Sequence, residues 1–183
     1  MRAKGRRGKR PSRELTKRQS EARSSLHVAR GSKPFRFLEH PADVGFEVRA
    51  KTLPELFAGA ALALCDYGWD LATVRPRQSI SLRARAASLE DLLFSWLAEI
   101  LFLTDAEGWV FKEFQVETVQ SSAASARGSA APQPLWEIVA QARGEKFVKR
   151  RHRSRTYIKA VTYHQLSVQQ TSAGCRATVF LDV

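Results

Sequence analysis

The sequence predicts an α+β domain of two layers, with about eight mostly antiparallel or mixed strands and two main helices. Three observations predict it. Two stretches carry apolar residues at three- to four-residue spacing behind a capping residue. Eight other stretches alternate apolar and polar residues. Helices and strands do not follow one another in regular βα order, which argues against a doubly wound parallel sheet.

The first strand is Phe35-Arg-Phe-Leu-Glu39. Gly45 to Ala50 is the second, with Phe46 and Val48 inward and Glu47 and Arg49 outward, and His40 to Val44 is the turn between them. Thr52-Leu-Pro-Glu55 is a capping box with proline in the first turn, where its missing N–H costs little. Behind it Leu53, Leu56, Phe57, Ala60, Ala61 and Leu64 make one buried stripe. Asp66 to Pro76 reads as the exit loop, and Ser79 to Ala84 as a third strand. Ser88-Leu-Glu-Asp91 caps a second helix and places acids at its positive end. Leu89, Leu92, Leu93, Trp96, Leu97, Ile100, Leu101 and Leu103 give it a wide apolar face, and Gly108 stops it. That face marks it as the expected central core helix.

Val110 to Val119 and Leu135 to Ala142 read as two long strands around a Ser/Ala/Gly/Pro tip at Gln120 to Pro134. Thr156 to His164 and Gln165 to Gln170 read as two more strands. Cys175 to Val183 is the eighth, with Ala177, Val179 and Leu181 on one face and Thr178, Phe180 and Asp182 on the other.

Charge divides the chain. Residues 1–33 hold 12 Lys or Arg and 2 Glu, a net +10, whereas residues 34–183 hold 18 Lys or Arg against 16 Asp or Glu, a net +2. Residues 1–33 have almost no large apolar side chains and no periodicity, so they are expected to form a disordered basic tail, and residues 34–183 the domain. The near-neutral domain makes no electrostatic case of its own for nucleic acid. No apolar run approaches the ~18 residues of a membrane span. Cys65 and Cys175 lie far apart without metal-ligand spacing, which fits a reducing, cytoplasmic setting.

Three segments could carry chemistry. In Glu39-His-Pro-Ala-Asp-Val-Gly45, Glu39, His40 and Asp43 are candidate ligands; the bland alternative is that Asp43 serves turn amides and His40 is a polar loop residue. At the chain end, Asp182 and the Val183 carboxylate are two hard oxygen donors, which with Asp43 could hold calcium or magnesium if the last strand pairs beside the 39–45 turn. Third, Arg143 to Arg155 carries seven Lys or Arg and one Glu. It lies beside Tyr157, Tyr163 and His164 and could contact phosphate and stack a base; equally, it could be a solvated loop with Tyr163 in the core. The chain has no phosphate-binding GxxxxGK[ST] or GxGxxG, no HExxH, no GxSxG and no zinc spacing, so nothing marks an autonomous nucleotide-using enzyme.

In this order, Phe37-Leu-Glu-His-Pro-Ala-Asp-Val-Gly45, Leu89-Glu-Asp-Leu-Leu-Phe-Ser-Trp-Leu97, Ala140-Gln-Ala-Arg-Gly-Glu145, Ile158-Lys-Ala-Val-Thr-Tyr-His164 and Phe180-Leu-Asp-Val183 resemble the archease family, from about Phe35 to Val183. Members are small α+β proteins that assist the RtcB-type RNA ligase. That enzyme joins 2′,3′-cyclic or 3′-phosphate ends to 5′-hydroxyl ends with GTP and manganese. The resemblance implies an activator, not an enzyme, that promotes ligase guanylylation and multiple turnover in tRNA splicing or RNA repair. It implies a divalent cation, calcium first, with magnesium or manganese as alternatives, held by Asp43, Asp182 and the Val183 main-chain oxygen. Contact with the ligase is expected through Lys146, Lys149, Arg150, Arg151 and His152; His164, like Glu39 and His40, is a candidate site residue without an assigned role; RNA is expected to bind indirectly or weakly through the tail. Two departures stand out: Pro41 replaces a frequent threonine, and Val148-Lys149 replaces a frequent Asp-Pro, making the loop more basic. The alternative reading is an RNA-binding module acting through the tail and residues 143–155.

Overall fold

The computed structural model describes residues 33–39, 44–123 and 134–183. The expected tail up to residue 32, the turn residues His40, Pro41 and Asp43, and most of the expected 120–134 tip lie outside the described residues. Lys33, assigned above to the tail, is described, and its ammonium pairs with Asp66.

The chain runs β1 (Phe35–Glu39), β2 (Val44–Ala50), α1 (Leu53–Gly68), β3 (Gln78–Ala86), α2 (Leu89–Glu107), β4 (Trp109–Ala123), β5 (Pro134–Lys146), β6 (Ala160–Thr171) and β7 (Gly174–Asp182). One sheet has the order β1-β2-β7-β6 and the other β3-β5-β4. All neighbouring strands are antiparallel. The fold is α+β as expected, with seven strands among the described residues rather than eight. The stretch read as two strands, 156–164 and 165–170, is one strand that starts at Ala160 and is broken by a bulge. Its register with β7 jumps from Thr162↔Phe180 to Ser167↔Thr178, and Gln165 sits at φ 49°. A bulge interrupts alternation in the same way as a turn between strands.

Both helix starts match their caps. Glu55 N–H donates to Thr52 Oγ1 at 3.4 Å, and the Glu55 carboxylate accepts from Lys51 N–H at 3.0 Å. Asp91 N–H donates to Ser88 Oγ at 3.0 Å. At the end of α2, Gly108 takes φ 68°, which costs a residue without Cβ little. Past α1 the expected exit loop is shorter: the helix runs through Gly68, and Leu71–Thr73 forms a 3₁₀ turn capped by Asp70.

The central helix is α1, not α2. Twelve residues of α1 are buried against six of α2. The reason is side-chain size: Ala58, Gly59, Ala60, Ala61 and Ala63 let backbones approach on several sides, so α1 packs on both β2 and β4. The larger face of α2 covers β3 and β6, and Trp96 is tied to α1 by a 3.1 Å bond from its Nε1 to the Phe57 carbonyl. Glu47 is not simply an outward acid. It is 3% exposed beneath Arg36, Arg49 and Arg176, one arginine from each of β1, β2 and β7. Burial alone would raise its pKa, but the three guanidiniums win and hold it below the ordinary value. No helix among the described residues is long and apolar enough to cross a membrane.

Candidate functional site

The last strand does pair beside the 39–45 segment. β7 lies between β2 and β6, with Val44 opposite Leu181 and Ala160 opposite Asp182. Glu39 is the last residue of β1, opposite Val44. Asp43 and His40 lie outside the described residues; Val44, which follows Asp43 in the chain, sits opposite Leu181, two residues before Val183. The Asp182 side chain is 57% exposed.

A residue absent from the candidates above completes this edge. Lys159 N–H donates to the Asp182 carbonyl at 2.8 Å, and its Nζ donates to the Val183 main-chain oxygen at 2.9 Å. The same Nζ lies 3.7 Å from Asp182 Oδ1. Its signal in the sequence was slight: a lone cation between Ile158 and Ala160 at a strand start. Among the described residues no three His, Cys, Asp or Glu converge as metal ligands. Asp182 and the Val183 oxygen are nevertheless hard donors that suit calcium or magnesium, and the Lys159 ammonium competes for the same oxygens. A cation drawn to this edge therefore exchanges with an exposed lysine, not with a buried partner.

His164 is exposed on the β6 bulge, its ring 5.7 Å from that of Phe180 and its Nε2 3.0 Å from the Gln165 amide nitrogen. Tyr163 is not in the core. It is 57% exposed, stacks on Phe94 of α2 at 4.0 Å, and donates from its hydroxyl to Asp91 at 3.2 Å.

The basic segment is two different things. Its single acid, Glu145, is buried at the end of β5. Burial pushes its pKa up. Arg151 opposes this with a two-pronged contact at 2.7 and 2.8 Å, Arg75 N–H donates at 2.6 Å, and His152 Nε2 lies at 3.1 Å. The bonds win and hold the carboxyl at about 2. Val148 N–H donates to His152 Nδ1 at 3.0 Å, which leaves the ring proton on Nε2, facing Glu145. Gly144 lets β5 approach β4 here, because a Cβ would run into the Val110 carbonyl. Lys146 is also engaged, over the Trp109 ring at 4.4 Å and donating to the Glu107 carbonyl at 2.8 Å. Of the five expected contact residues, Lys146, Arg151 and His152 thus have internal partners; Lys149 and Arg150 are exposed. A lone acid among seven cations was the available hint that Glu145 organises this loop.

Residues 35–183 match the model of the archease protein family (MTH1598/TM1083). The chain is 34% identical over 151 residues to protein archease of Methanosarcina mazei, covering 82% of this chain and 97% of that one. It is 33% identical over 150 residues to protein archease of Methanopyrus kandleri, covering 82% and 99%. The solution structure of Methanobacterium thermoautotrophicum protein 1598 matches with a TM-score of 0.65 at 26% identity, over 83% of this chain and all of that one.

Proposed function

The chain belongs to the archease family, and from that premise we propose that it is a metal-binding accessory protein, not itself a catalyst, that activates an RtcB-type RNA ligase. In this reading it promotes guanylylation of the ligase and its repeated turnover in tRNA splicing or RNA repair. The observation that carries the reading is the β2–β7 pairing. It puts Val44 opposite Leu181, beside an exposed edge where Asp182, the Val183 oxygen and Lys159 meet.

Asp43, Asp182 and the Val183 main-chain oxygen are the proposed ligands of a divalent cation, calcium first. Such an ion would supply concentrated positive charge at the surface that meets the ligase. This chain's part is to present oxygen donors and an exchangeable lysine on a rigid strand end, and to favour the ligase conformation that accepts GTP. Lys149 and Arg150 add long-range attraction to the ligase with its RNA loaded, acting mainly on the rate of encounter.

The test is a ligation time course with limiting ligase and excess RNA ends. The wild type turns a single-turnover burst into sustained ligation; Asp182→Ala and Asp43→Ala, still folded, leave only the burst. Normal activation by both variants, or RNA joining with no ligase present, sinks the reading.

A further inference from the structure

A cleft of ≈ 340 Å³ lies between the ends of α1 and α2 and the 147–158 segment. That is the small end of the roughly 300–1,000 Å³ range of ligand pockets, enough for one ring system. Trp69, Phe147 and Tyr157 line it. Phe147 is held in place: its ring lies 5.4 Å from Trp69 and 5.8 Å from His152, and His152 is anchored by Glu145. Yet Phe147 remains 45% exposed and Tyr157 65% exposed. Rings this open, one of them pre-ordered by a buried ion cluster, are costly surface unless something stacks on them.

The cleft's one charged lining residue is Asp105, and the cations stand outside it, in the 149–153 turn between its lining residues Phe147 and Ser154. Lys149, Arg150 and Arg153 are exposed, and their side chains enter no ion pair or hydrogen bond among the described residues. Ser154 and Thr156 line the cleft. A larger cleft of ≈ 540 Å³, between α1 and β4, differs on this point. Its cations are already engaged: Arg49 with Glu47, Lys112 with the Val74 carbonyl, Arg143 with Glu113.

We infer that the Trp69–Phe147–Tyr157 cleft binds an unpaired nucleobase of single-stranded RNA, with the flanking phosphates on Lys149, Arg150 and Arg153. Open aromatic faces beside free cations are the combination by which single strands are held without sequence readout. The hydroxyls of Ser154 and Thr156 offer hydrogen bonds to a base edge. Tyr157 lies two residues before Lys159, whose N–H donates to the Asp182 carbonyl at 2.8 Å. The inference does not depend on the ligase reading, because binding needs no ligase.

The experiment measures binding of the full chain to a short oligoadenylate and to an abasic strand of the same length. Residues 1–33 hold no Phe, Trp or Tyr, so the basic tail contributes to both strands alike and cancels in the ratio. The wild type prefers oligoadenylate by about five- to a hundredfold, the worth of a stacked base. Tyr157→Ala removes most of that preference and Tyr157→Phe keeps it. Lys149→Glu with Arg150→Glu weakens both strands together and lowers the salt slope by about two. Equal affinity of the wild type for the two strands overturns the inference. So does a Tyr157→Ala variant that keeps the preference, or one that loses only its hold on the ligase in an RNA-free pull-down, which would make the cleft a protein pocket.

Discussion

Two carboxylates in this molecule meet cations at the ends of strands, and they are built to opposite specifications. Asp182 and Lys159 are 57% and 58% exposed and 3.7 Å apart. Glu145 and His152 have side chains 9% and 0% exposed, with Arg151 at 25% closing the cluster. An exposed pair is worth at most about 1 kcal/mol and exchanges partners readily. A buried cluster is costly to break, because each remaining group has lost its water. The first arrangement suits a place where a cation or a partner surface arrives. The second suits a place where a loop must keep one shape.

The largest expected effect therefore comes from breaking the buried side. Glu145→Ala leaves Arg151, His152 and the Arg75 N–H without their acceptor, and urea unfolding should show a loss of about 3 kcal/mol. That is the low end of the 3–5 kcal/mol range, since Arg151 can regain some water. The same group governs acid sensitivity. Its folded pKa of about 2 lies below the ordinary 4.5. Its stabilisation is thus fully present above pH 4.5 and lost as the pH falls towards 2. Glu145→Gln should flatten the fall in stability across that window. A loss below about 1 kcal/mol for Glu145→Ala would mean that the loop is held by other contacts.

A cation should act on the other side. If Asp182, Val183 and Asp43 ligate calcium, calcium at a hundredfold excess over its dissociation constant should add about 2.7 kcal/mol to the unfolding free energy. Asp182→Ala should abolish the gain and Glu145→Gln should preserve it. A full calcium effect in Asp182→Ala would place any binding elsewhere. The smallest effect expected is Asp182→Ala without metal, within about 0.5 kcal/mol of wild type by the same unfolding measurement, as for other exposed positions. A drop comparable to that of Glu145→Ala would erase the contrast between the two regions.

Parts of this were readable in one dimension. Thr52 with Glu55, Ser88 with Asp91, and Gly108 are helix boundaries because their bonding partners lie three to five residues away. The Phe37–Gly45 and Phe180–Val183 motifs carried both the family and the chain-end candidates. Bulges and burial were not readable. The β6 bulge at Gln165 looks like a turn between two strands until β7 is seen alongside it. The small residues of α1 look like one stripe until two sheets close on the helix.

By itself, then, the sequence determined helix caps, the alternation of most strands, the family and the residue types at the chain end, all of which depend on neighbours or on order along the chain. Tertiary structure alone decided that Val44 lies opposite Leu181, that Lys159 reaches the Val183 oxygen, that Glu145 gathers Arg75, Arg151 and His152, and that Trp69 backs Phe147. The physical reason is range. A cap or an amphipathic stripe is stabilised by groups a few residues apart, whereas strand pairing and burial are settled by which distant surfaces exclude water together.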